Sequence, residues 1–202
     1  MNITSLLLAA GEGRRFGDVK QLADIDGMPM LNYVIKQHQL AGIEDIIVVL
    51  GANANKIVEQ IDTSVQVVIA NNWRLGMGES IRVGVEAINS REKTETKHVL
   101  LSLADQIEVK SPQIAKLCSQ AAHAPSAIVA AEYANNIGVP VCFPTSMFPD
   151  LLNLDSKSGA KPVIQANKGK VIRVAIPEAQ FDIDTTEDLR RWQSKLQTNS
   201  GE

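Results

Sequence analysis

The sequence predicts a single α/β domain with a mostly parallel β-sheet, helices on both faces and a mixed edge in its C-terminal half. A length of 202 residues suits one domain rather than two. Short apolar runs alternate with segments of helical spacing over the first part of the chain, which predicts right-handed βαβ crossovers. This rhythm changes after the apolar run at residues 127–131, and the change predicts that the last strands are not all parallel.

The first part of the chain shows the alternation most clearly. Residues 3–8 are a continuous apolar run followed by glycines, as expected of a parallel strand buried on both faces. A helix is predicted to begin at Pro29 and to end before Gly42, which suits a C-terminal cap. The later predicted strands are residues 46–50, 65–69 and 99–103, and the later predicted helices are residues 54–61, residues 78–88 and one that starts at Ser111-Pro112, with Ser111 as its N-cap.

The last third of the chain predicts shorter elements. Strands are expected at residues 127–131, 139–143 and 171–176, with short helices near residues 147–152 and 159–166. Thr185 and Asp188 have the spacing of a capping box for a final helix. We therefore expect one domain over residues 1–197, followed by a flexible tail over residues 198–202.

The composition excludes several classes of partner. A formal charge of −3 provides no extended basic surface for nucleic acid or an acidic membrane, and no apolar run approaches the ~20 residues of a membrane span. No basic segment of the kind found in signal peptides precedes the first apolar run. Cys118 and Cys142 match no metal or disulfide pattern, which favours a reducing compartment. We expect a cytoplasmic protein that binds neither nucleic acid nor membrane.

The turn after the first strand combines glycines with cations in the stretch LAAGEGRRFGDVKQL, residues 8–22. Its glycines are Gly11, Gly13 and Gly17, and its cations are Arg14, Arg15 and Lys20. Glycines let backbone N–H groups approach an anion closely, and ligands bind beyond the carboxyl ends of parallel strands. The spacing matches neither a Walker A loop nor the dinucleotide fingerprint. It predicts a phosphate-binding loop, and the alternative is a glycine-rich turn with solvated cations.

The same stretch resembles the LAAGxGxRxGxxK signature of nucleotidyltransferases that activate small phosphorylated substrates with an NTP. Within that MobA-like superfamily, three more segments resemble molybdenum cofactor cytidylyltransferases. They are NNWRLGMGESIRVGV at residues 71–85, LADQ at residues 103–106 and DIDTTEDL at residues 182–189. The resemblance covers nearly the whole chain. It implies a Rossmann-like fold of the nucleotide-diphospho-sugar transferase type and transfer of CMP from CTP to the terminal phosphate of molybdopterin, with release of pyrophosphate.

The resemblance also implies a role for each matching residue. Arg15 would hold the β- and γ-phosphates, and Lys20 would contact the α-phosphate, so both are catalytic candidates together with Asp105. The implied nucleotide-binding residues are Leu8, Ala9, Ala10, Gly11, Glu12, Gly13, Arg14, Asn53, Gly76, Gly78 and Ser80. The implied acceptor-binding residues are Gln106, Gly138, Pro140 and Lys161. Since LAAG accompanies cytidine nucleotides in these relatives and guanylyltransferases tend to have LAGG, Ala10 favours CTP. For the segment around Ser80, the alternative is a loop that leads into a capped helix.

A metal site is expected where Asp105 ends the apolar run VLLSLAD, at the carboxyl edge of the sheet. Mg²⁺, or Mn²⁺ in its place, prefers oxygen ligands and usually takes one or two carboxylates together with phosphate oxygens. The resemblance places the second carboxylate in the DIDT segment, where we favour Asp184 over Asp182. The alternative is that these aspartates and Asp188 stabilise the N-terminus of the last helix, and for Asp188 we prefer that interpretation.

The chain departs from the family pattern on the acceptor side. Ile107 stands where the family has proline, and SKSGAK at residues 156–161 stands where GDxGAR is usual. These departures leave two alternatives to CMP transfer onto molybdopterin. In the first, the chain transfers the nucleotide to another small phosphorylated acceptor. In the second, the chain is a non-catalytic protein that delivers the cofactor to a molybdoenzyme client. The three histidines are scattered and are interpreted as structural.

Overall fold

The structure is a computed structural model that describes residues 2–91 and 95–199. The strands are β1 (Ile3–Ala9), β2 (Asp24–Ile25), β3 (Met28–Pro29), β4 (Ile46–Leu50), β5 (Gln66–Ile69), β6 (His98–Leu103), β7 (Ile128–Tyr133), β8 (Asn136–Pro144) and β9 (Val171–Ala175). The helices are α1 (Met30–Leu40), α2 (Ala54–Val58), α3 (Met77–Asn89), α4 (Ser111–His123), α5 (Phe148–Leu152), α6 (Lys161–Ala166) and α7 (Thr186–Asn199).

The main sheet has seven strands in the order β5-β4-β1-β6-β8-β7-β9. Strand β1 is fully buried and pairs in parallel with β4 on one side and β6 on the other. Strand β8 is antiparallel to both of its neighbours, whereas β9 is parallel to β7. The predicted α/β class, the mostly parallel sheet and the mixed C-terminal part are therefore confirmed.

Helices cover both faces of the sheet because successive side chains of a strand point to opposite faces. Leu7 of β1 belongs to the core cluster that contains residues of α1, α4 and α7. Its neighbour Leu6 belongs to a second cluster, which contains residues of α3, α5 and α6. Gly84 lets α3 approach β1 closely, since a Cβ at that position would overlap the Leu6 side chain. Because β1 and β6 pair in parallel, their carboxyl ends lie at the same edge of the sheet.

Several predicted boundaries shift in the structure. Pro29 lies in the small β2–β3 ribbon, which the sequence did not predict, and α1 begins one residue later. Ser111 is the first residue of α4 rather than its N-cap, and its N–H donates to the Gln37 side chain instead. The capping box is confirmed, because Asp188 N–H donates to Thr185 Oγ1 while Thr185 N–H donates to Asp188. Helix α7 continues to Asn199, and residues 200–202 of the expected tail lie outside the described residues.

Within the described part of the chain, no helix is both long enough and apolar enough to cross a lipid bilayer. Cys118 and Cys142 are both buried free thiols.

Substituting Gly84 tests the close approach of α3 and β1. Gly84→Ala should lower the free energy of unfolding by about 1–2 kcal/mol, because overpacking of about 1–3 kcal/mol outweighs the gain in helix propensity of at most ~1 kcal/mol. Urea denaturation measures the difference. The matched control is Gly169→Ala, because a Cβ at Gly169 meets nothing within 4 Å. Equal stability of the two variants would contradict the packing argument.

Candidate active site

The glycine loop after β1 folds back onto the strand that precedes it. Gln21, in the 3₁₀ helix Lys20–Leu22, donates from Nε2 to the carbonyl oxygens of Ala9 and Gly11, both at 2.8 Å. Gly13 has a φ of +62°, a conformation that favours glycine, and the Lys20 side chain packs against it. Gln21 was not predicted as a site residue, although it follows Lys20 directly in the quoted motif.

Lys20 joins three distant segments at the carboxyl edge of the sheet. Its Nζ donates to Asp105 Oδ2 at 2.7 Å and lies 3.5 Å from Asp184 Oδ1. Arg15 Nη2 donates to Asp184 Oδ2 at 2.8 Å. The Lys20 side chain is 12% exposed, whereas that of Arg15 is 73% exposed. The backbone contact from Ile183 N–H to the Asp105 carbonyl, at 3.0 Å, brings the DIDT segment to the end of β6.

The carboxylates beside Lys20 offer free oxygen to a cation. Asp105 Oδ1 is buried and has no hydrogen-bond partner among the described residues, which suits a metal ligand. Asp182 is exposed as a residue, but partial burial of its carboxyl group and then the nearby Asp105 and Asp184 raise its pKa to about 6. In the described part of the chain no three His, Cys, Asp or Glu side chains are grouped to hold a metal by themselves. A cation here would therefore need oxygens from a ligand.

A cavity of about 350 Å³ opens beside this cluster. Its lining includes the predicted residues Leu8, Ala10, Gly11, Gly76, Ser80 and Asp105. The remaining lining residues are Trp73, Arg74, Met77 and Leu103, which the sequence analysis did not select. The guanidinium carbon of Arg74 lies 4.4 Å from the centre of the Trp73 ring, within the range of a cation–π contact. Trp73 and Arg74 both lie inside the segment at residues 71–85, so its resemblance to the family could have identified them as site residues.

The wall of the cavity that carries Ser80 is held by residues 155–159. Gly78 N–H donates to the Ser156 carbonyl at 2.9 Å. Gly76 has a φ of +131°, and a Cβ on Gly76 or Gly78 would collide with the backbone of residues 155–158. Only glycine therefore permits this contact. It joins the loop that was predicted to bind the nucleotide to residues 156–161, which depart from the family pattern.

Some predicted nucleotide-binding residues lie away from the cavity wall. Asn53 is the N-cap of α2 and has a φ of +57°. Arg14 donates to Glu12 at 2.6 Å, and the two exposed charges neutralise each other. Ala9 and Gly13 line a smaller recess on the Lys20 side of the glycine loop. The cavity therefore brings together about half of the predicted nucleotide-binding set.

Three of the predicted acceptor-binding residues, Gln106, Gly138 and Pro140, lie near one another. Gln106 Nε2 is 3.5 Å from the carbonyl of Val139, which stands between Gly138 and Pro140. Gln106 is buried and donates to the Ala179 carbonyl at 2.7 Å. Gly138 faces the Tyr133 hydroxyl, and Pro140 is buried within β8. Lys161, at the start of α6, lines a second cavity. The sequence motifs alone did not indicate that, of these four residues, Lys161 is the one that lines this cavity.

Two of the three histidines are buried and one is exposed. His38 lies within hydrogen-bond distance of Ser5, 2.9 Å from Nδ1 to Oγ, and burial lowers its pKa to about 4, so it is neutral at physiological pH. His98 is buried at the start of β6, and His123 contacts the Ser119 carbonyl. None of the three lines the cavity beside Asp105.

Comparison with known families agrees with this geometry. Residues 5–171 match the model of the MobA-like NTP transferase domain, so the chain belongs to that family. It is 24% identical over 201 residues to nicotine blue oxidoreductase of Paenarthrobacter nicotinovorans, covering 94% of this chain and 95% of that protein. It is also 32% identical over 106 residues to the bifunctional protein GlmU of Symbiobacterium thermophilum, covering 52% of this chain but only 22% of GlmU.

Solved structures share the fold over almost the full length. The crystal structure of the Rv0371c homologue from Mycobacterium sp. strain JC1 has a TM-score of 0.81 and 25% identity, and covers 96% of each chain. The complex of Rv0371c from Mycobacterium tuberculosis H37Rv with manganese has a TM-score of 0.76 and 24% identity, and covers 95% of this chain and 97% of that chain. The fold is thus that of the nucleotide-diphospho-sugar transferases, as expected from the sequence.

The raised pKa of Asp182 predicts a pH dependence of stability. Its pKa in the folded protein, about 6, lies above the ordinary value of 3.8. Between pH 3.8 and pH 6 the folded state therefore binds a proton that the unfolded state has released. The contribution of this proton to the free energy of unfolding is complete below about pH 4 and is lost as the pH rises through about 6. Denaturant unfolding from about pH 4 to about pH 7 should show that the free energy of unfolding decreases less in Asp182→Asn than in the wild-type protein. The same pH dependence in both proteins would contradict the raised pKa of Asp182.

Proposed function

We propose that this nucleotidyltransferase-family protein transfers CMP from CTP to the terminal phosphate of a small phosphorylated acceptor, with molybdopterin as the leading candidate. The observation that carries the proposal is the position of Lys20 between Asp105 and Asp184, beside a cavity walled by the glycine loop and Ser80. A nucleoside triphosphate with its base near Ser80 and its phosphates over the glycine loop would bring its α-phosphate to this cluster.

The chemistry requires positioning and charge neutralisation more than proton transfer. An anionic oxygen of the acceptor phosphate attacks the α-phosphorus, the new P–O bond forms as the bond to the β-phosphate breaks, and pyrophosphate leaves with the electron pair. Because the nucleophile is already anionic, no general base is needed, which agrees with a cavity lining that contains neither His nor Cys. Lys20 and Arg15 neutralise the phosphate charge in this scheme.

Asp105 and Asp184 are the proposed ligands of Mg²⁺ or Mn²⁺, with Asp182 nearby. The free Oδ1 of Asp105 supports this assignment, as does the manganese named in the Rv0371c complex. When bound, the cation would add positive charge beside the phosphates. Lys20 already contacts both proposed ligands, so its ammonium group helps to keep two like charges close together before a nucleotide binds.

The acceptor is tested by measuring pyrophosphate release from CTP and Mg²⁺ with a panel of phosphorylated acceptors, and by mass spectrometry of the product. A cytidine adduct of molybdopterin supports the leading proposal, and an adduct of a sugar or alditol phosphate supports the alternative acceptor. Binding of CTP or pterin without pyrophosphate release favours the delivery protein. A full-length relative is named nicotine blue oxidoreductase, so redox turnover of nicotine blue is the informative parallel assay. Such turnover without CMP transfer would contradict the proposal.

Removing Lys20 should slow transfer far more than it weakens CTP binding. Lys20→Ala is expected to lower kcat by on the order of 10²–10³-fold with only a small change in KM for CTP, because the ammonium meets charge that develops in the transition state. Steady-state pyrophosphate release measures both constants. Lys116→Ala, which removes an exposed lysine of α4, is the control. Equal effects on kcat and KM would argue against this role.

CTP should be preferred strongly over GTP. A site that hydrogen-bonds one base edge leaves its own polar groups unpaired with the wrong base, and such discrimination can reach on the order of 10⁴-fold. The ratio of kcat/KM for the two nucleotides measures the preference. Ala10→Gly combined with Ser80→Ala should reduce that ratio, whereas Lys161→Ala should change acceptor use and leave it intact. Comparable kcat/KM values in the wild-type protein would refute CTP specificity but not nucleotidyl transfer.

A further inference from the structure

A second cavity, here called the hairpin cavity, lies among the β7–β8 hairpin, α6 and β9 and has a volume of about 340 Å³. Its charged lining residues are Lys161, Lys168, Arg173 and Glu132. Three cations and one carboxylate give it a formal charge of +2, in a chain whose net charge is −3. Such a local reversal of sign raises the concentration of anions at the cavity.

The cations of the hairpin cavity are only partly neutralised by the protein. Arg173 Nη1 lies 3.2 Å from Glu132 Oε1, in a pair that is largely exposed. Lys161 Nζ is 3.4 Å from the Asn136 side-chain oxygen, a neutral partner. Lys168 forms no ion pair with any described residue. Two ammonium groups and part of a guanidinium therefore remain free to bind an anion.

Neutral parts of the lining suit an organic ligand that carries the anion. The side chains of Asn135 and Gln165 supply amide donors and acceptors, while Ile137, Ile164 and Val171 supply apolar surface. Apolar walls with a few polar groups are typical of small-molecule sites.

The hairpin cavity opens on the same face of the sheet as the cavity beside Asp105. Ile137 and Val171 pack against the core cluster that also carries Trp73 and Leu103 of the first cavity. Two to three strand spacings separate β6 from β7 and β9, or about 10–14 Å. Residues 155–161 connect the two places, since Ser156 contacts Gly78 at one end and Lys161 lines the hairpin cavity at the other.

We propose that the hairpin cavity binds a second anionic group of the acceptor, a carboxylate or phosphate remote from the phosphate that receives CMP. This inference rests on the proposed transfer of CMP, and it narrows the acceptor class to molecules with two separated anionic groups. It therefore favours the alternative acceptors over molybdopterin, which has a single phosphate and no carboxylate. Binding at a remote group holds the reacting phosphate in place beside Lys20 and Asp105. Acceptors with a single phosphate should therefore be poor substrates.

The first test uses inorganic phosphate as the probe and needs no transferase activity. Amide NMR titration should show shifts at Gly169, beside Lys168, separately from any shifts at Gly11 in the glycine loop. Lys168→Ala combined with Arg173→Ala should weaken the Gly169 response at least tenfold. Lys170→Ala is the matched control, because Lys170 belongs to the same 3₁₀ helix but does not line the cavity. Equal titrations of the double variant and the wild-type protein, or shifts only at Gly11, would overturn the proposal.

The second test uses the acceptor identified by the product analysis. The double variant should raise KM for a doubly anionic acceptor at least tenfold, while KM for a singly phosphorylated analogue stays the same. Lys161 is left in place because it adjoins the loop that contacts Gly78. An equal rise for both acceptors would contradict a remote anion site. Because the phosphate titration is independent of CMP transfer, a failure of the proposed function and a failure of the hairpin cavity are distinguishable.

Discussion

The ion pair between Lys20 and Asp105 is the interaction on which the candidate site depends. It fixes the glycine loop to the end of β6, and the same ammonium reaches Asp184 in the segment before α7. Both side chains of the pair are largely enclosed, so removing either one leaves a charge that water compensates poorly. The pair of Arg15 and Asp184 is more exposed and contributes little to stability, which leaves Arg15 free to turn toward a ligand.

The cavity beside Asp105 and the hairpin cavity are connected through a backbone contact that only glycines allow. Gly76 and Gly78 bring the wall of the cavity beside Asp105 against the backbone of residues 155–158. That segment runs directly into Lys161 and the hairpin cavity. A change in residues 155–158 can therefore alter the cavity beside Asp105 without changing any residue that lines it.

Membership in the MobA-like NTP transferase family establishes the framework of the protein but not its acceptor. A relative that aligns over almost its whole length is named for an oxidoreductase activity, and GlmU aligns over less than a quarter of its length. Function depends on the side chains placed on a fold rather than on the fold itself. For this chain, the informative side chains are those of the Lys20 cluster and the cations of the hairpin cavity.

The sequence by itself determined the parallel core, and it predicted the kind of ligand. Buried parallel strands are continuous apolar runs, so β1, β4 and β6 could be predicted, and the glycines and cations after β1 indicated phosphate binding. It also placed Asp105 at a strand end. Only the tertiary structure decided that Lys20 lies between Asp105 and Asp184, that β8 runs antiparallel, and that Lys161 lies in a cavity separate from Ser80. These features depend on contacts between residues far apart in the chain, which local spacing and periodicity do not encode.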